Sequence, residues 1–300
     1  MATKRRHGRR IDGVLLLDKP SGISSNAALQ RARRLLEAVR AGHTGTLDPM
    51  ASGLLVLCFG DATKFSGELL EAGKSYLATL KLGERTSTGD AEGEVVAQRA
   101  VSVTMEQLQR SLELFRGDIS QIPPMYSALK RNGRPLYAYA REGVELERSP
   151  RKVAVYNLEV VEFAGNTAIL SVSCSKGTYV RTLAEDIGET LGCGAHLTGL
   201  VRTAVGPFRL EQAHRFEELE AHAAAQQSDS LLPVDVLVRD LPSVQLAAGL
   251  ESAFGHGQVV SPVPAPTGRI RVYGNGGKFL GLGFSDGEGQ LQPKRLLSTP

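Results

Sequence analysis

Three hundred residues exceed what a single core usually needs and point to one large domain followed by a smaller one. With 42% hydrophobic and 22% charged residues, and no apolar run near the roughly 20 residues of a membrane span, the composition excludes a membrane-embedded or disordered chain. Net charge is only +3, and three cysteines (Cys58, Cys174, Cys193) with no signal-peptide pattern in MATKRRHGRR argue against a disulfide framework and for the cytoplasm.

The charge is unevenly placed. Residues 1–40 hold ten basic side chains (Lys4, Arg5, Arg6, Arg9, Arg10, Lys19, Arg31, Arg33, Arg34, Arg40) against three acidic ones, a local +7 that leaves −4 for the rest. Such an end attracts phosphate backbones, or is a solvated tail and a polar helix face. Within it, GVLLLD (13–18) reads as a buried strand closed by the turn signal KPSG. Ser24 or Ser25 then caps a helix whose apolar residues Ala28, Leu29, Ala32, Leu35, Leu36 and Val39 recur at helical spacing. The loop AGHTGTLDPMASG (41–53) follows, and after it a strand at 54–59.

KSYLATLKLG (74–83) alternates, with Tyr76, Ala78, Leu80 and Leu82 on one face. Thr104 and Gln107 form a capping-box pattern ahead of Leu108, Leu112 and Phe115, and Gly117 is suited to end that helix. Residues 121–143 mix prolines, basic residues and tyrosines into an ordered loop that leads to a short helix. Strands are expected at 152–162 and 167–174, then a helix from about Tyr179 to Leu191. Residues 221–230 resemble a helix end running into a linker. From about 243, Gly and Pro become dense, and GRIRVY and KFLGLGF alternate with NGG and DGEG turns, which predicts a small β-rich domain.

Asp48 is the first candidate for chemistry. An aspartate before proline is biased to extended or turn geometry, and glycines at 42, 45 and 53 let the loop pass close to other groups. One reading is a carboxylate that caps its own turn. The other needs a partner: GTYVRTLAEDIG (177–188) puts Arg181 near a helix start, and an aspartate facing an arginine stays ionised and usable as a nucleophile. Spacing alone does not bring the two together. Tyr76 and Tyr179 can stack on a base or serve as core residues, and His43 can cap a turn, move a proton or stack. Cys193 and His196 form a C-x-x-H pair with no second pair of metal-ligand spacing, a weak metal signal. No P-loop and no G-x-G-x-x-G after a strand indicates a nucleotide cofactor.

GVLLLDKPSGISSN, AGHTGTLDPMASGLL, KSYLATLKLGERTSTGDAEGE, IPPMYSALKRNGRPLYAYAREG and CSKGTYVRTLAEDIGETLGCGAHLTGLVRTAVGPF, in that order, resemble the TruB family of tRNA pseudouridine synthases. The resemblance covers residues 11 to about 208 nearly continuously, and looser similarity to a PUA-like RNA-binding domain follows. It implies an α+β fold: a mixed, largely antiparallel sheet with flanking helices forming an RNA-binding cleft, in a catalytic domain at 1–235, plus a small β-rich PUA-like domain at 243–300. By the same resemblance Asp48 is the catalytic nucleophile, Tyr76 stacks on the flipped uracil and helps remove its C5 proton, and Arg181 pairs with Asp48. Tyr179 and Leu200 line the pocket, His43 inserts against the RNA loop, Lys19 and Pro20 support the floor, and Asp90 is an acid near the cleft.

The implied reaction is isomerisation of uridine 55 in the TΨC stem-loop of tRNA, by a monomer with no guide RNA, no membrane, no metal and no cofactor. A glycosidase needs two carboxylates because one protonates a departing group. Here the base is retained and reused, so one nucleophilic carboxylate suffices. The target must leave its stack, which asks for a stacking aromatic and an apolar wall. Three other readings are weighed: a guide-RNA-dependent relative, an RNA-binding module or tRNA-folding chaperone without catalysis, and a DNA-binding protein, the last lacking a recognition-helix motif.

Overall fold

The computed structural model describes residues 8–221 and 227–298. The basic side chains Lys4, Arg5 and Arg6 and the middle of the expected 221–230 linker lie outside the described residues. The strands are β1 (Gly13–Lys19), β2 (Ala41–Thr44), β3 (Ser52–Phe59), β4 (Lys74–Leu82), β5 (Glu84–Thr86), β6 (Val95–Gln98), β7 (Gly117–Gln121), β8 (Lys130–Arg131) and β9 (Arg134–Pro135). They continue as β10 (Arg151–Ala164), β11 (Thr167–Cys174), β12 (Ala195–Val205), β13 (Phe208–Arg209), β14 (Ser243–Gln245), β15 (Gly268–Tyr273), β16 (Phe279–Ser285) and β17 (Leu291–Leu296). The helices are α1 (Ser25–Leu35), α2 (Gly67–Leu70), α3 (Met105–Glu113), α4 (Leu136–Ala140), α5 (Val180–Thr190), α6 (Phe216–Ala221) and α7 (Leu250–Gly255).

The main sheet runs β1-β3-β12-β4-β11-β10-β7, with β2 on β3 and β13 on β12. Its pairings are antiparallel except β12 on β3, so the expected mixed, largely antiparallel α+β architecture is the one observed. One face packs Leu15, Leu17, Leu55, Leu57, Ala78 and Leu170 against apolar residues of α1, α3 and α5. At the β1–β3 end the opposite face is also covered, by Phe65, Phe208, Val234, Leu237 and Phe279 around Val14, Leu16, Leu54 and Val56. That two-sided cover explains why Leu54 to Phe59 is an unbroken apolar run, whereas β4 alternates. By area, each fully buried leucine of this strand contributes about 1.5–3 kcal/mol relative to exposure.

The register places a functional row across four strands. Lys19 pairs with Gly53, Gly53 with Arg202, and Arg202 with Tyr76. Gly53 has φ +95, and a Cβ built there would lie 2.4 Å from the Arg202 carbonyl oxygen. No side chain fits between β3 and β12 at this level. Gly53→Ala is therefore expected to cost about 3 kcal/mol, combining a left-handed backbone with overpacking. The midpoint of urea unfolding should fall accordingly; an unchanged midpoint would refute the close approach.

Local signals hold where the chain chemistry is local. Ser24 caps α1 by accepting from the Ala27 amide, and Thr104 and Gln107 form the reciprocal capping box of α3. Two helix ends differ from expectation. α1 stops at Leu35 because Glu37 turns left-handed (φ 51) and Ala38 bridges to Arg9, so Val39 is not helical. α3 stops at Glu113, and Gly117 (φ +79) opens β7 instead. The C-terminal sheet, β14-β15-β16-β17, has its own core of Phe254, Val260, Ile270, Val272 and Leu291. Its β16 also reaches the rest of the molecule, with the Phe279 ring tilted against that of Phe65 at 5.7 Å between centroids, and Arg269 forks onto Glu68.

Candidate active site

The Asp48 loop is held from three sides. The buried Ser25 hydroxyl donates to the Leu47 carbonyl at 2.9 Å and accepts from the Leu47 amide at 2.7 Å. From the end of β1, the fully buried Lys19 ammonium donates to the carbonyls of Pro20 (2.9 Å), Ile23 (2.8 Å) and Pro49 (3.5 Å). The Gly22 amide reaches the Pro49 carbonyl as well. From β12, Arg202, only 1% exposed, donates to Leu54 (2.7 Å), Gly45 (3.2 Å) and Thr46 (3.4 Å) carbonyls. A loop pressed into protein has carbonyls that water cannot reach, and these two cations satisfy them. Burial lowers the Lys19 ammonium to about 8, with Arg202 adding to the effect and Asp48 opposing it.

Arg181 arrives from the first turn of α5. The helix has no side-chain cap of its own; instead Gln121, buried at the end of β7, accepts from the Tyr179 amide (3.0 Å) and donates to the Tyr179 carbonyl (3.2 Å). Arg181 Nη2 then lies 2.9 Å from Asp48 Oδ2 and donates to the Tyr126 carbonyl at 2.6 Å. Its Nη1 donates to the Thr88 carbonyl (3.2 Å), and its Nε lies 3.5 Å from Asp90 Oδ2. Asp90 is itself buried and accepts from the Thr88 hydroxyl (2.5 Å) and the Glu92 amide (3.1 Å). It therefore orients Arg181, while Arg181 orients Asp48. The Asp48 side chain keeps 37% exposure, against 5% for Arg181, so the acid is fixed on one side and open on the other.

What it opens onto is a pair of cavities that share Thr46, Leu47, Asp48, Ser127, Ala128 and Arg181. The inner one, about 270 Å³, is lined by Asp48, Tyr76, Tyr179, Leu200 and Arg202. The outer one, about 880 Å³, carries His43, Asp90, Tyr137 and Arg141. Burial raises both the Tyr76 and the Tyr179 phenols, so both are neutral near pH 7; at Tyr76 the charge of the neighbouring Arg202 guanidinium pulls the other way. Burial, then Arg202, lowers His43, whose ring is neutral near pH 7 and whose Nδ1 is buried without a hydrogen-bond partner among the described residues.

The structure thus brings together Asp48, Tyr76, Arg181, Tyr179, Leu200, His43 and Asp90 around the two cavities. Lys19 braces the loop from behind without lining either cavity, and Pro20 is exposed in the turn with its carbonyl on Lys19. Cys193 and His196 are both core residues, with His196 Nδ1 3.1 Å from the Glu84 carbonyl; among the described residues no group of three His, Cys, Asp or Glu is placed to hold a metal. Two residues that position the site, Arg202 and Gln121, escaped the sequence reading. The signal for Arg202 was there: in LVRTAV it falls on the same strand face as Leu200 and Ala204, both buried.

Three family models match the chain: TruB family pseudouridylate synthase (N-terminal domain) over residues 33–180, tRNA pseudouridylate synthase B C-terminal domain over 181–239, and Pseudouridine synthase II TruB, C-terminal, over 242–297. The chain is 54% identical to the tRNA pseudouridine synthase B of Aromatoleum aromaticum, covering 98% of this chain and 96% of that protein. It is 55% identical to the protein of the same name from Thiobacillus denitrificans, over 96% and 97%. Among solved structures it is similar to a chain of a Cbf5-Nop10-Gar1 complex, with a TM-score of 0.71 and 26% identity over 95% of this chain and 84% of that one.

Proposed function

The chain belongs to the TruB family of pseudouridylate synthases, and we propose that its paired cavities convert uridine 55 of the tRNA TΨC stem-loop to pseudouridine, with Asp48 as nucleophile. It is an isomerase acting on tRNA. The observation that carries the residue assignment is the Asp48–Arg181 pair at 2.9 Å, at the junction of a base-sized inner cavity and a wider outer one.

In the reaction the C1′–N1 bond breaks, the uracil turns, a C1′–C5 bond forms, the C5 proton is lost and N1 gains a proton. A flipped uracil in the inner cavity lies between Tyr76 and the wall made by Leu200 and Tyr179. Asp48 attacks as the nucleophile, the bond it forms breaks again when the base reattaches through C5, and Arg181 keeps the carboxylate aimed. The Tyr76 oxygen is set to take the C5 proton as the phenolate, the minor form near pH 7, which becomes the neutral phenol. His43, neutral and facing the outer cavity, stacks against the nucleotides beside the vacated position, and Tyr137 with Arg141 flanks them. Residues 1–235 carry the chemistry, while residues 243–300 and the basic N-terminal region grip the phosphate backbone.

The protein acts as a cytoplasmic monomer without a guide RNA. Its 54–55% identity to proteins named tRNA pseudouridine synthase B, against 26% to the chain from the Cbf5-Nop10-Gar1 complex, favours this over a guide-dependent role. Intact Asp48, Tyr76 and Arg181 favour catalysis over chaperoning alone. The test is tritium release from C5-labelled uridine in an unmodified tRNA transcript, with mapping of the modified position. Release confined to position 55 supports the reading; tRNA binding without release sinks it. Tyr76→Phe, which keeps the stacking ring, is expected to bind tRNA normally and to slow single-turnover release by about 10²–10³-fold. A wild-type rate would remove the proton-transfer role of the hydroxyl.

A further inference from the structure

Arg202 takes no step in the reaction itself, yet it is the largest fully buried side chain of the site. A buried guanidinium with no carboxylate partner is costly, and proteins keep one only when its donors are needed. Its Nε and both terminal nitrogens are committed to carbonyls on either side of the Asp48 turn: Gly45 and Thr46 before it, Leu54 after it. Tyr76 is its cross-strand neighbour, and the two side chains line the same inner cavity. One rigid planar group therefore holds the segment that carries the nucleophile and stands beside the side chain assigned to the C5 proton. A lysine at this place has a single point of attachment and no fixed fork.

We propose that Arg202 is a positioning residue for both steps: it sets the Tyr76 hydroxyl against the Asp48 loop, so that C1′–N1 cleavage and C5 deprotonation are served by groups in fixed mutual geometry. The inference rests on the reading of Tyr76 given above. Its cation also stabilises the phenolate, the form of Tyr76 able to take a proton, since burial pushes that phenol up and Arg202 pulls it down. His43 feels the same charge at the outer cavity. Lys19, Lys74 and Asp48 are the other charged groups around this row.

The test compares Arg202→Lys and Arg202→Met with the wild type in single-turnover tritium release on tRNA across pH 6–10, alongside tRNA affinity and thermal melting. Both variants are expected to bind tRNA within about 2-fold of wild type and to turn over about 30- to 100-fold more slowly, the scale set by a small misplacement of reacting groups. Arg202→Met should also move the rising limb of the pH profile to higher pH, because the phenol has lost its cation, whereas Arg202→Lys should leave that limb nearer its wild-type position. Arg202→Lys combined with Tyr76→Phe should be little slower than Tyr76→Phe alone. Wild-type rates and an unmoved pH profile in the folded variants would overturn the proposal, as would the failure of Arg202→Lys to fold, which would assign the residue to holding the sheet. If Tyr76→Phe by itself turns over at the wild-type rate, the reading of Tyr76 fails; if Tyr76→Phe is slow and the Arg202 variants are not, only the present inference fails.

Discussion

Asp48→Asn is expected to lose pseudouridine formation by at least about 10⁴-fold while still folding and still binding tRNA. The amide has the shape of the carboxylate, so it keeps its place between Leu47 and Pro49, and the Ala51 amide still bonds to the backbone carbonyl of residue 48. Its side-chain oxygen can still accept from Arg181. What it lacks is a charge able to attack an electrophilic carbon. Because the Asp48 side chain is 37% exposed, losing its ion pair should cost only about 1 kcal/mol or less of stability. The experiment follows tritium release, filter binding of tRNA and the melting temperature on the same preparations. Residual turnover near wild type would show that another group attacks. Loss of tRNA binding together with turnover would instead make Asp48 a structural part of the RNA-binding surface.

How much of this was readable beforehand depends on the range of the interaction. The Ser24 cap, the Thr104–Gln107 capping box and the alternation of β4 are written within a few residues, and each formed as expected. The contact between Asp48 and Arg181 depends on α5 docking above the β2–β3 loop, and no local pattern could place those two side chains within 2.9 Å. Resemblance supplied that pairing, and geometry then gave it a mechanism of support: Gln121 starts α5 and Asp90 backs Arg181. Arg202 was missed for a different reason. Periodicity treats a charge as a marker of the surface, and Arg202 breaks that rule because Gly53, opposite it, leaves room for two backbones to close. The misplaced helix ends have a similar origin. Gly117 satisfies the rule for a helix stop, but Leu114 already caps α3, and the glycine's left-handed backbone serves the entry to β7.

Arg181→Met should separate the two things that Arg181 does. Toward Asp48, a half-open carboxylate, it supplies orientation and charge; removing it should slow turnover by about 10³-fold, the scale of losing a preorganised charged donor. Toward Asp90 it supplies the counter-charge of a carboxylate with a side chain only 4% exposed. With Arg181 gone, Asp90 keeps the Thr88 hydroxyl and the Glu92 amide but no cation, and Glu92, already raised by burial and by the neighbouring Asp90 and Asp48 charges, adds repulsion. Stranding a buried charge costs about 3 kcal/mol or more, so Arg181→Met should unfold at markedly lower urea. Adding Asp90→Asn removes the stranded charge while keeping acceptor and shape. The double variant should therefore regain most of the lost stability and none of the lost turnover. Recovery of both would mean that Arg181 serves only to keep Asp90 in the fold. Recovery of neither would mean that the carbonyls of Thr88 and Tyr126, left without their donor, dominate the cost. Stability regained without turnover is the outcome the geometry requires, because Asp90 meets Asp48 only through the arginine, and of the two carboxylates only Asp48 lines the inner cavity where the base must turn.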